Sequence, residues 1–398
     1  MSWPLVKLGD LFKVTSGGTP SRKKSEYYDG GDIHWVKTGD LHNKYVRSAS
    51  EFITQEGLDG SSARLYPKGT VLVAMYGATI GACSILDIEA ATNQACAAFT
   101  PSEKVDPVFL YYLLKHSKPA FVKAGSGGAQ PNISGTFLKN FEIPLPPLEE
   151  QKRIAAILDK ADAIRQKRKQ AIDLADEFLR SVFLDMFGDP VANPKGWEQV
   201  PLSTLSDKIL NGTTPKGGSD VYVEKGIAFL RSQNVWKKRI DLDDIVYLDD
   251  ATHAKMSKSS LKRKDILITK TGRINTENSS LGRAAIYRGK DDEANINGHV
   301  YLVRLKPDNV HEFIEFILTT KEYRDHIRAV CVGGIDKRQL NKNHIEEFPI
   351  ICPPSSEQQR FVKILHQSQK VLDNYKEQLV EAQNNFSALS QKAFSGQL

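Results

Sequence analysis

Two long stretches without glycine or proline constrain this chain more than any other feature. They span Leu148–Phe187 and Ser355–Ser395, and each begins just after a Pro-Pro pair and ends at a glycine, Gly188 or Gly396. Proline just outside the start of a helix and glycine just after its end are the usual punctuation of a helix. Each stretch is therefore predicted to form one helix, on the order of 55 Å long at 1.5 Å per residue.

Apolar residues recur along both predicted helices in alternating steps of four and three. This spacing predicts a coiled-coil rod in which the two helices pack antiparallel against each other. The predicted seam residues are Ile154, Leu158, Ala161, Ile172 and Leu179 in the first helix, and Phe361, Leu365, Leu372, Tyr375, Leu379 and Phe386 in the second. Ile157, Ile164 and Phe178 are expected to widen the first stripe. The alternative is that each helix packs on its own domain as an ordinary amphipathic helix.

The chain also repeats itself after roughly two hundred residues. The segment that follows Trp3 matches the one that follows Trp197, residues 33–46 align without gaps on residues 227–240, and each copy ends in Pro-Pro followed by Glu-Gln. The first part of each copy mixes short β-branched runs with Gly, Ser, Thr and Asn loops, which predicts a compact α/β domain. The order is then domain, helix, domain, helix.

The expected fold class is α+β, with two similar α/β domains at opposite ends of a rod of two antiparallel helices and a pseudo-twofold internal repeat. The predicted boundaries are 1–146 for the first domain, 147–190 for the central helix, 191–352 for the second domain and 353–398 for the C-terminal helix. The most apolar stretch, residues 69–86, contains three glycines and is interpreted as buried strands joined by a turn.

Composition favours a globular cytoplasmic protein. The chain is 40% hydrophobic and 26% charged, and no secretory signal is visible at its start. Four cysteines lie far apart without a CxxC pair, which argues against metal and disulfide sites and favours a reducing compartment. The net charge is +6, and residues 206–290 hold seventeen Lys and Arg against ten Asp and Glu. This excess favours a polyanionic partner. No membrane association is expected, because the most apolar stretch is interpreted as strands and not as a membrane helix.

No catalytic motif is recognisable. The sequence lacks the phosphate loop GxxxxGK[ST], a full dinucleotide fingerprint, and the Asn/Asp-Pro-Pro-aromatic tetrapeptide of amino-methyltransferases. The chain is therefore predicted to be a binding protein, without catalytic residues, metal or cofactor of its own.

Polar and basic loops at equivalent places in the two copies are the candidate binding sites. Backbone N–H groups, hydroxyls and lysines suit phosphate contact, and Arg, Gln and Asn bond base edges. The candidates in the first copy are Ser16, Gly17, Gly18, Thr19, Arg22, Lys37, Thr38, Tyr76, Thr79, Asn93, Gln94 and Ser126. Those in the second copy are Asn211, Thr213, Thr214, Lys216, Arg231, Ser232, Gln233, Asn234, Lys270, Thr271, Arg273, Asn297, Lys337 and Arg338. Taken alone, each segment is better explained as an ordinary solvated loop. Paired loops with diverged tips on a duplicated frame favour two readers of two different short sequences.

Three segments give the chain a resemblance to the specificity subunit of type I restriction–modification enzymes: SGGTP from Ser16, WVKTGDL from Trp35 and IPLPPLEEQKRIAAIL from Ile143. The resemblance covers essentially the whole sequence. It implies that residues 1–146 and 191–352 are target-recognition domains, each reading one half of a split double-stranded DNA site. It also implies that the helical rod spaces these domains and docks two methyltransferase subunits, through which restriction subunits join.

The same resemblance places S-adenosylmethionine, ATP and Mg²⁺ on the partner subunits, with no cofactor in this chain. The second junction, PIICPPSSEQQ from Pro349, departs from the Pro-Leu-Pro-Pro form, so docking there is expected to be less symmetric. Two alternatives stay open. The chain could be a protein–protein adaptor that does not read DNA, or the recognition part of a larger nuclease–methyltransferase.

Overall fold

The fold is described from a computed structural model, which covers residues 3–125, 131–276 and 278–398. The chain divides into two compact units. Unit 1 contains residues 1–171 and 375–398, and unit 2 contains residues 172–374. Within the described residues, no helix is both long enough and apolar enough to cross a membrane.

Unit 1 is a mixed α/β structure with short elements and one long helix. Its strands are β1 (Leu5–Lys7), β2 (Thr15–Ser16), β3 (Ile33–Val36), β4 (Tyr45–Val46), β5 (Glu51–Ile53), β6 (Leu65–Tyr66), β7 (Val71–Ala74), β8 (Cys83–Leu86), β9 (Ala90–Thr92), β10 (Cys96–Phe99) and β11 (Glu142–Pro144). Its helices are α1 (Leu8–Leu11), α2 (Gln55–Asp59), α3 (Pro107–His116), α4 (Lys118–Gly125), α5 (Gly135–Asn140) and the first part of α6 (Leu148–Phe187). The strands form sheets β2-β10-β7-β8-β4 and β5-β3-β9-β6 and the pair β1-β11.

Unit 2 is also a mixed α/β structure with short elements. Its strands are β12 (Gln199–Pro201), β13 (Ser206–Asn211), β14 (Tyr222–Val223), β15 (Ile227–Leu230), β16 (Val235–Trp236), β17 (Arg239–Ile240), β18 (Val246–Leu248), β19 (Ile266–Thr269), β20 (Thr271–Arg273), β21 (Ala284–Ile286), β22 (Ala294–Ile296), β23 (Val300–Leu305), β24 (Val332–Gly333), β25 (Lys337–Gln339) and β26 (Pro349–Ile351). Its helices are α7 (Asp250–Lys255), α8 (His311–Leu318), α9 (Lys321–Val330), α10 (Lys342–Glu346) and the first part of α11 (Ser355–Ser395), together with the end of α6.

The two units repeat one topology. The order β2-β10-β7-β8 returns as β13-β23-β19-β21, β5-β3-β9 returns as β18-β15-β22, and β1-β11 returns as β12-β26. In both units the middle strand of the second sheet pairs in parallel with a strand that follows much later in the chain, β3 with β9 and β15 with β22. The predicted duplication of an α/β domain is therefore confirmed. Strands β7 and β8 are buried at every position, as predicted for the apolar stretch 69–86.

The two long helices begin and end at the predicted residues, and their burial follows the predicted seam. Every predicted seam residue is buried or half-buried. The expected widening of the stripe is wrong at two positions, because Ile164 and Phe178 are 44% and 54% exposed. One partner helix covers only a narrow strip of another, so residues beside the seam stay in solvent.

Within unit 1, α6 and α11 lie antiparallel. Arg153, near the start of α6, donates to the main-chain oxygen of Leu398 at 2.9 Å. The Arg165 guanidinium lies 5.1 Å from the centre of the Phe386 ring, and Arg168 donates to Gln378. Residues further along α6 therefore contact residues nearer the start of α11, as in any antiparallel pair of helices. The seam also packs on the domain, since Ile154 and Leu158 are part of its core. The helices therefore pack both against each other and against the domain, so each of the two alternatives predicted from the sequence is correct in part.

Within unit 2, the end of α6 meets the start of α11 in a cluster of aromatic rings. The cluster consists of Phe183 and Phe187 of α6, Phe313 and Phe316 of α8, and Phe361 of α11. Phe361 lies 4.7 Å from Phe316 and 5.3 Å from Phe183, measured between ring centres, and is completely buried. The two helices therefore supply part of the hydrophobic core of this unit.

Replacing Phe361 with alanine is expected to destabilise the full-length chain by about 3–5 kcal/mol, since it opens a cavity at the centre of this cluster. Phe178→Ala is the matched control on α6. Its ring is 54% exposed, so its loss is expected to cost less than about 1 kcal/mol. Chemical denaturation of both variants measures the difference, and equal losses would show that Phe361 does not organise the core.

Candidate nucleic-acid interface

The candidates of unit 1 gather where the parallel strands β3 and β9 end. Lys37 and Thr38 follow β3, and Asn93 and Gln94 follow β9. The main-chain N–H of Asn93 donates to the carbonyl of Val36 at 3.1 Å, which joins the two strand ends. Parallel strands finish at the same edge of a sheet, so four predicted contact residues share one edge.

The glycine loop of unit 1 packs against this edge. The N–H of Gly18 donates to the carbonyl of Thr92 at 2.9 Å, and the indole of Trp35 donates to the carbonyl of Gly18 at 3.0 Å. A Cβ atom on Gly17 would lie 1.8 Å from the carbonyl oxygen of Thr92, so only glycine permits this approach. The loop then continues to Thr19, whose hydroxyl donates to Gln94 at 2.5 Å.

Two basic side chains of this edge share one carboxylate. Arg22 binds Glu51 at 2.5 Å, and Lys37 binds the other oxygen of the same carboxylate. The hydrogen bond from Lys37, together with that from Arg22, holds the pKa of Glu51 below its usual range. The Arg22 guanidinium also lies over the rings of Tyr28 and Trp35, at 4.5 and 5.0 Å. Both cationic heads are thus oriented within the protein.

Unit 2 builds the same edge from different residues. Arg231 follows β15 and Asn297 follows β22, and the N–H of Asn297 donates to the carbonyl of Leu230 at 3.0 Å. Gly212 occupies the position of Gly17, since a Cβ atom there would lie 2.3 Å from the carbonyl oxygen of Asn297. The N–H of Thr213 donates to the end of β22 at 3.3 Å, as Gly18 does to the end of β9.

The basic residue of this second edge is also held by a carboxylate. Arg231 Nη2 lies 3.1 Å from the carboxylate of Asp244, and the side chain of Gln233 donates to the same carboxylate. Asn234 differs from its neighbours, because it is 1% exposed. Its side chain accepts from the N–H of Arg231 at 2.9 Å and donates to the carbonyl of Asp241 at 3.0 Å. The amide of Asn234 is therefore used to hold the loop.

Unit 1 has a counterpart to this last interaction. Asp40 aligns with Asn234, and its carboxylate accepts from the N–H of Lys37 at 2.8 Å. At each edge, the side chain three positions after the basic residue accepts a hydrogen bond from the main-chain N–H of that basic residue. This bond fixes the main chain from which the basic side chain extends.

Several buried polar atoms at these edges are not paired. Of the side-chain nitrogens and oxygens that the structure describes, four are buried without a hydrogen-bond partner in the protein. Three of the four belong to the two edges: Thr92 Oγ1, Asn211 Oδ1 and Arg231 Nε. Buried polar groups normally have hydrogen-bond partners. The two edges are therefore unusual in holding three of the four described side-chain atoms that are buried without one.

A second group of candidates extends the edge of unit 2. Lys270 follows β19, and its N–H donates to the carbonyl of His299 at 2.8 Å, beside the turn that contains Asn297. Strand β20 then carries Thr271 and Arg273 and pairs with β25, which places Arg273 opposite Lys337. Arg338 lies next to Lys337 on β25. Arg273 and Lys337 therefore lie side by side on one face of this strand pair, and Arg338 lies on the other face.

The corresponding part of unit 1 is shorter among the described residues. Tyr76 forms a bridge with Asn132, its carbonyl accepts the hydroxyl of Thr79 at 2.9 Å, and the N–H of Met75 donates to the carbonyl of Ala95 at 2.8 Å. Tyr76 is thus held beside the turn that contains Gln94. The candidate Ser126 lies outside the described residues.

Exposure separates the candidates into three groups. The exposed ones are Thr19, Arg22, Tyr76, Gln94, Thr213, Thr214, Lys216, Gln233, Arg273 and Lys337. The half-buried ones are Ser16, Lys37, Thr38, Thr79, Asn93, Asn211, Arg231, Ser232, Lys270, Thr271, Asn297 and Arg338. Gly17, Gly18 and Asn234 are buried and shape the loops through their main chain or amide.

Sequence reasoning missed three residues that organise the edges. Glu51 and Asp244 bind the basic side chains, and Trp35 fastens the glycine loop. Trp35 lies in a segment that aligns between the copies, which was a usable signal. No sequence pattern marks Glu51 or Asp244, because each binds a basic side chain that is more than ten positions away in the chain and comes close only in the fold.

The described residues show no group of His, Cys, Asp or Glu that is suited to a metal ion. Burial raises the pKa of the thiols of Cys83 and Cys96 to about 12, so neither is a reactive thiolate near neutral pH.

Comparison with known proteins agrees with this architecture. Residues 2–174 and 194–383 match the family of the Type I restriction modification DNA specificity domain. The specificity subunit of type I restriction enzyme MjaIX from Methanocaldococcus jannaschii is 27% identical over 95% of this chain and 89% of its own length. The StySPI specificity subunit from Salmonella potsdam is 21% identical over 100% and 89%.

Solved structures share the fold. The S subunit of a type I restriction–modification system from M. genitalium aligns over 99% of this chain and 96% of its own, with a TM-score of 0.56 and 17% identity. A chain from a study of type I restriction–modification complex assembly gives a TM-score of 0.60 at 19% identity over 100% and 98%. The two family matches together cover most of the sequence, and each includes one of the two edges. This chain belongs to the family of type I restriction–modification DNA specificity subunits.

Proposed function

We propose that each unit reads one half of a bipartite double-stranded DNA target through the edge where its parallel strands end. The observation that carries this proposal is the repetition of one constellation in both units. A close-packed glycine loop, a basic residue after the first parallel strand and an asparagine after the second recur together. Two equivalent frames with different side chains are what a split, asymmetric DNA sequence requires.

The residues divide by the contacts they suit. Main-chain N–H groups and hydroxyls of the glycine loops suit phosphate oxygens and position the duplex. Arg231 and Gln233 offer the planar donor groups that bond guanine or adenine edges in the major groove. The equivalent positions in unit 1 are Lys37 and Gly39, and Gln94 of unit 1 corresponds to Gly298 of unit 2. These differences at matched positions support different half-site sequences.

The carboxylates beside the basic residues support a pre-organised reader. Asp244 holds Arg231 and Gln233 together, and Glu51 holds Lys37 and Arg22. Side chains that are already oriented lose less conformational entropy on binding. Asn234 is assigned to positioning, since its amide is used within the loop.

The two long helices are assigned to spacing and assembly. In this proposal they set the distance between the reading domains 1–146 and 191–352 and dock methyltransferase subunits, two in number because the junction and its helix occur twice in the chain. Restriction subunits join through those. Methyl transfer with S-adenosylmethionine and cleavage with ATP and Mg²⁺ belong to these partners in the cytoplasm, and this chain contributes no catalytic residue. The family membership and the described helices α6 and α11 support this assignment.

Mapping methylated adenines in the genome that encodes this chain tests the proposal directly, because a split motif gives both half-sites at once. The assembled complex is then expected to bind a duplex with that motif in a salt-dependent manner. An adaptor that contacts only proteins would show no such binding.

Arg231→Ala is expected to weaken discrimination at one half-site by about 10- to 100-fold, the effect of one good bidentate base contact. The other half-site and methyltransferase assembly are expected to stay intact. Competition binding with duplexes mutated in either half measures the effect. Gln233→Ala is expected to affect the same half-site, and Lys37→Ala the other one.

Arg263→Ala provides the matched control for that experiment. Arg263 is exposed in the same unit but precedes β19, whereas the edge lies after β19 ends. It removes the same charge and is expected to leave discrimination unchanged. Loss of assembly in Arg231→Ala, or equal effects of both substitutions, would contradict the assignment.

Inserting one heptad into both long helices is expected to lengthen the tolerated spacer and leave both half-sites unchanged. The insertions go after Ala171 in α6 and after Asn374 in α11, so the seam keeps its phase. One heptad adds about 10 Å, or about three base pairs. Methylation mapping measures spacer and half-sites together. An insertion into α6 alone is the control, because it shifts the two halves of the seam out of register. An unchanged spacer in the double insertion would contradict the spacing role of the helices.

A further inference from the structure

We propose that Ile335 is an apolar wedge that inserts at a base-pair step of the half-site read by unit 2. Ile335 lies at the tip of the hairpin between β24 and β25 and is 92% exposed, the most exposed of the large apolar side chains that the structure describes. This inference rests on the proposed function, since it assumes that unit 2 contacts DNA.

The tip that carries Ile335 is held from several sides. The N–H of Gly334 donates to the carbonyl of Lys337 at 3.1 Å and closes the turn. The N–H of Ile274 donates to the carbonyl of Asp336 at 3.0 Å, and Arg273 pairs with the carboxylate of Asp336 at 3.3 Å. The main chain around Ile335 is therefore fixed to β20 while its side chain projects into solvent.

Glycine makes this turn possible. Gly333 has a φ of 134°, which lies in the region that other residues rarely adopt, and a Cβ atom there would lie 2.9 Å from the carbonyl oxygen of Lys337. The Arg338 side chain also donates to the carbonyl of Gly334 at 3.2 Å. The hairpin thus uses its own basic residue to brace the turn that presents Ile335.

The surroundings of Ile335 favour DNA over a protein surface. Arg273, Lys337 and Arg338 flank the tip, and the acidic residue next to Ile335 in the chain, Asp336, is paired with Arg273. The apolar cores of protein interfaces are depleted in charged residues, whereas an apolar side chain with basic neighbours is the arrangement with which proteins open a base step. Arg273 and Lys337 would take the phosphates on either side of the opened step, while Arg338 braces the turn.

The hairpin also has the right connection within unit 2. Leu340, just after β25, donates its N–H to the carbonyl of Lys270 at 2.9 Å, and Lys270 is bonded to the turn that contains Asn297. The wedge is therefore continuous with the edge assigned to base reading. In the sequence alignment of the two copies, Ala129 stands at the position of Ile335. The wedge is thus specific to one half-site.

The experiment uses the complete complex with methyltransferase subunits and a duplex that contains the mapped target. The fluorescent base 2-aminopurine is placed, one position at a time, in the half-site of unit 2, avoiding the methylated adenine because methyltransferases flip that base themselves. The wild-type complex is expected to raise fluorescence at one step, where stacking is lost. Ile335→Ala is expected to remove that rise and to weaken target binding by about 10- to 100-fold, the equivalent of exposing one buried isoleucine.

Two further variants separate the wedge from other roles. Ile335→Leu keeps the apolar volume and is expected to retain the fluorescence rise and bind within about threefold of wild type. Ile335→Ala is expected to leave the salt dependence of binding unchanged, whereas Lys337→Ala is expected to lower its slope by about one phosphate contact. Because Ile335 is exposed, the melting temperature of the Ile335→Ala chain is expected to equal that of wild type.

Unchanged fluorescence and affinity in Ile335→Ala would overturn the wedge. Loss of methyltransferase binding with intact DNA affinity would overturn it as well, and would assign the hairpin to a protein contact. Failure of the wild-type complex to bind the duplex at all is a different result, because it refutes DNA reading by this chain and not the wedge alone.

Discussion

The packing of α6 and α11 into the domain cores is the constraint on which the rest of the structure depends. A long amphipathic helix is marginal in water unless its apolar face is covered. In unit 2 that cover is the aromatic cluster around Phe361, and in unit 1 it is the core that contains Leu158 of α6 and Ala393 of α11. Each core thus needs a segment from each helix. Unit 1 consequently includes the C-terminal residues of the chain, and neither the helices nor the cores are complete alone.

The two candidate edges follow from a different constraint, the parallel pairing inside each unit. Two parallel strands bring their C-terminal ends to one edge, which gathers residues that are far apart in sequence, such as Lys37 and Asn93. Gly17 and Gly212 then let a third loop approach the end of the later strand more closely than any side chain allows. The frame is thus fixed by main-chain geometry. Side chains at the tips can then differ between the units without disturbing this frame, and in the proposed function this difference gives the two units different target sequences.

Sequence patterns predicted the periodic and repeated features well and the long-range pairings poorly. The bounds of α6 and α11 followed from proline and glycine punctuation and from the four-three spacing, because both are local properties of a helix. The exposure of Ile164 and Phe178 was missed because the width of a seam depends on what packs against it. The structural use of Asn234 and the carboxylates of Glu51 and Asp244 were missed for the same reason: each depends on partners that lie on another turn or strand of the fold.

A lysine at matched positions shows how the duplicated frame tolerates change. Lys44 and Lys238 align in the two copies. Lys44 binds Asp159 of α6, which also accepts the hydroxyl of Tyr112 at 2.6 Å. Lys238 instead lies 3.8 Å from the ring centre of Phe316, which aligns with Tyr112, and desolvation lowers its pKa to about 8.

Lys44 Nζ also lies 5.3 Å from the centre of the Tyr112 ring, so both lysines contact the aligned aromatic ring and Lys44 adds an ion pair with Asp159. The cation–π contact is therefore common to the two units, and the ion pair with α6 belongs to unit 1. In each unit this lysine joins the segment that follows the basic residue of the edge to the aromatic residue at the aligned position, Tyr112 or Phe316. In unit 1 it also binds α6 through Asp159. The aligned lysine and ring thus hold each candidate edge on its own core in the same place, even though the two units differ in the other partner of the lysine.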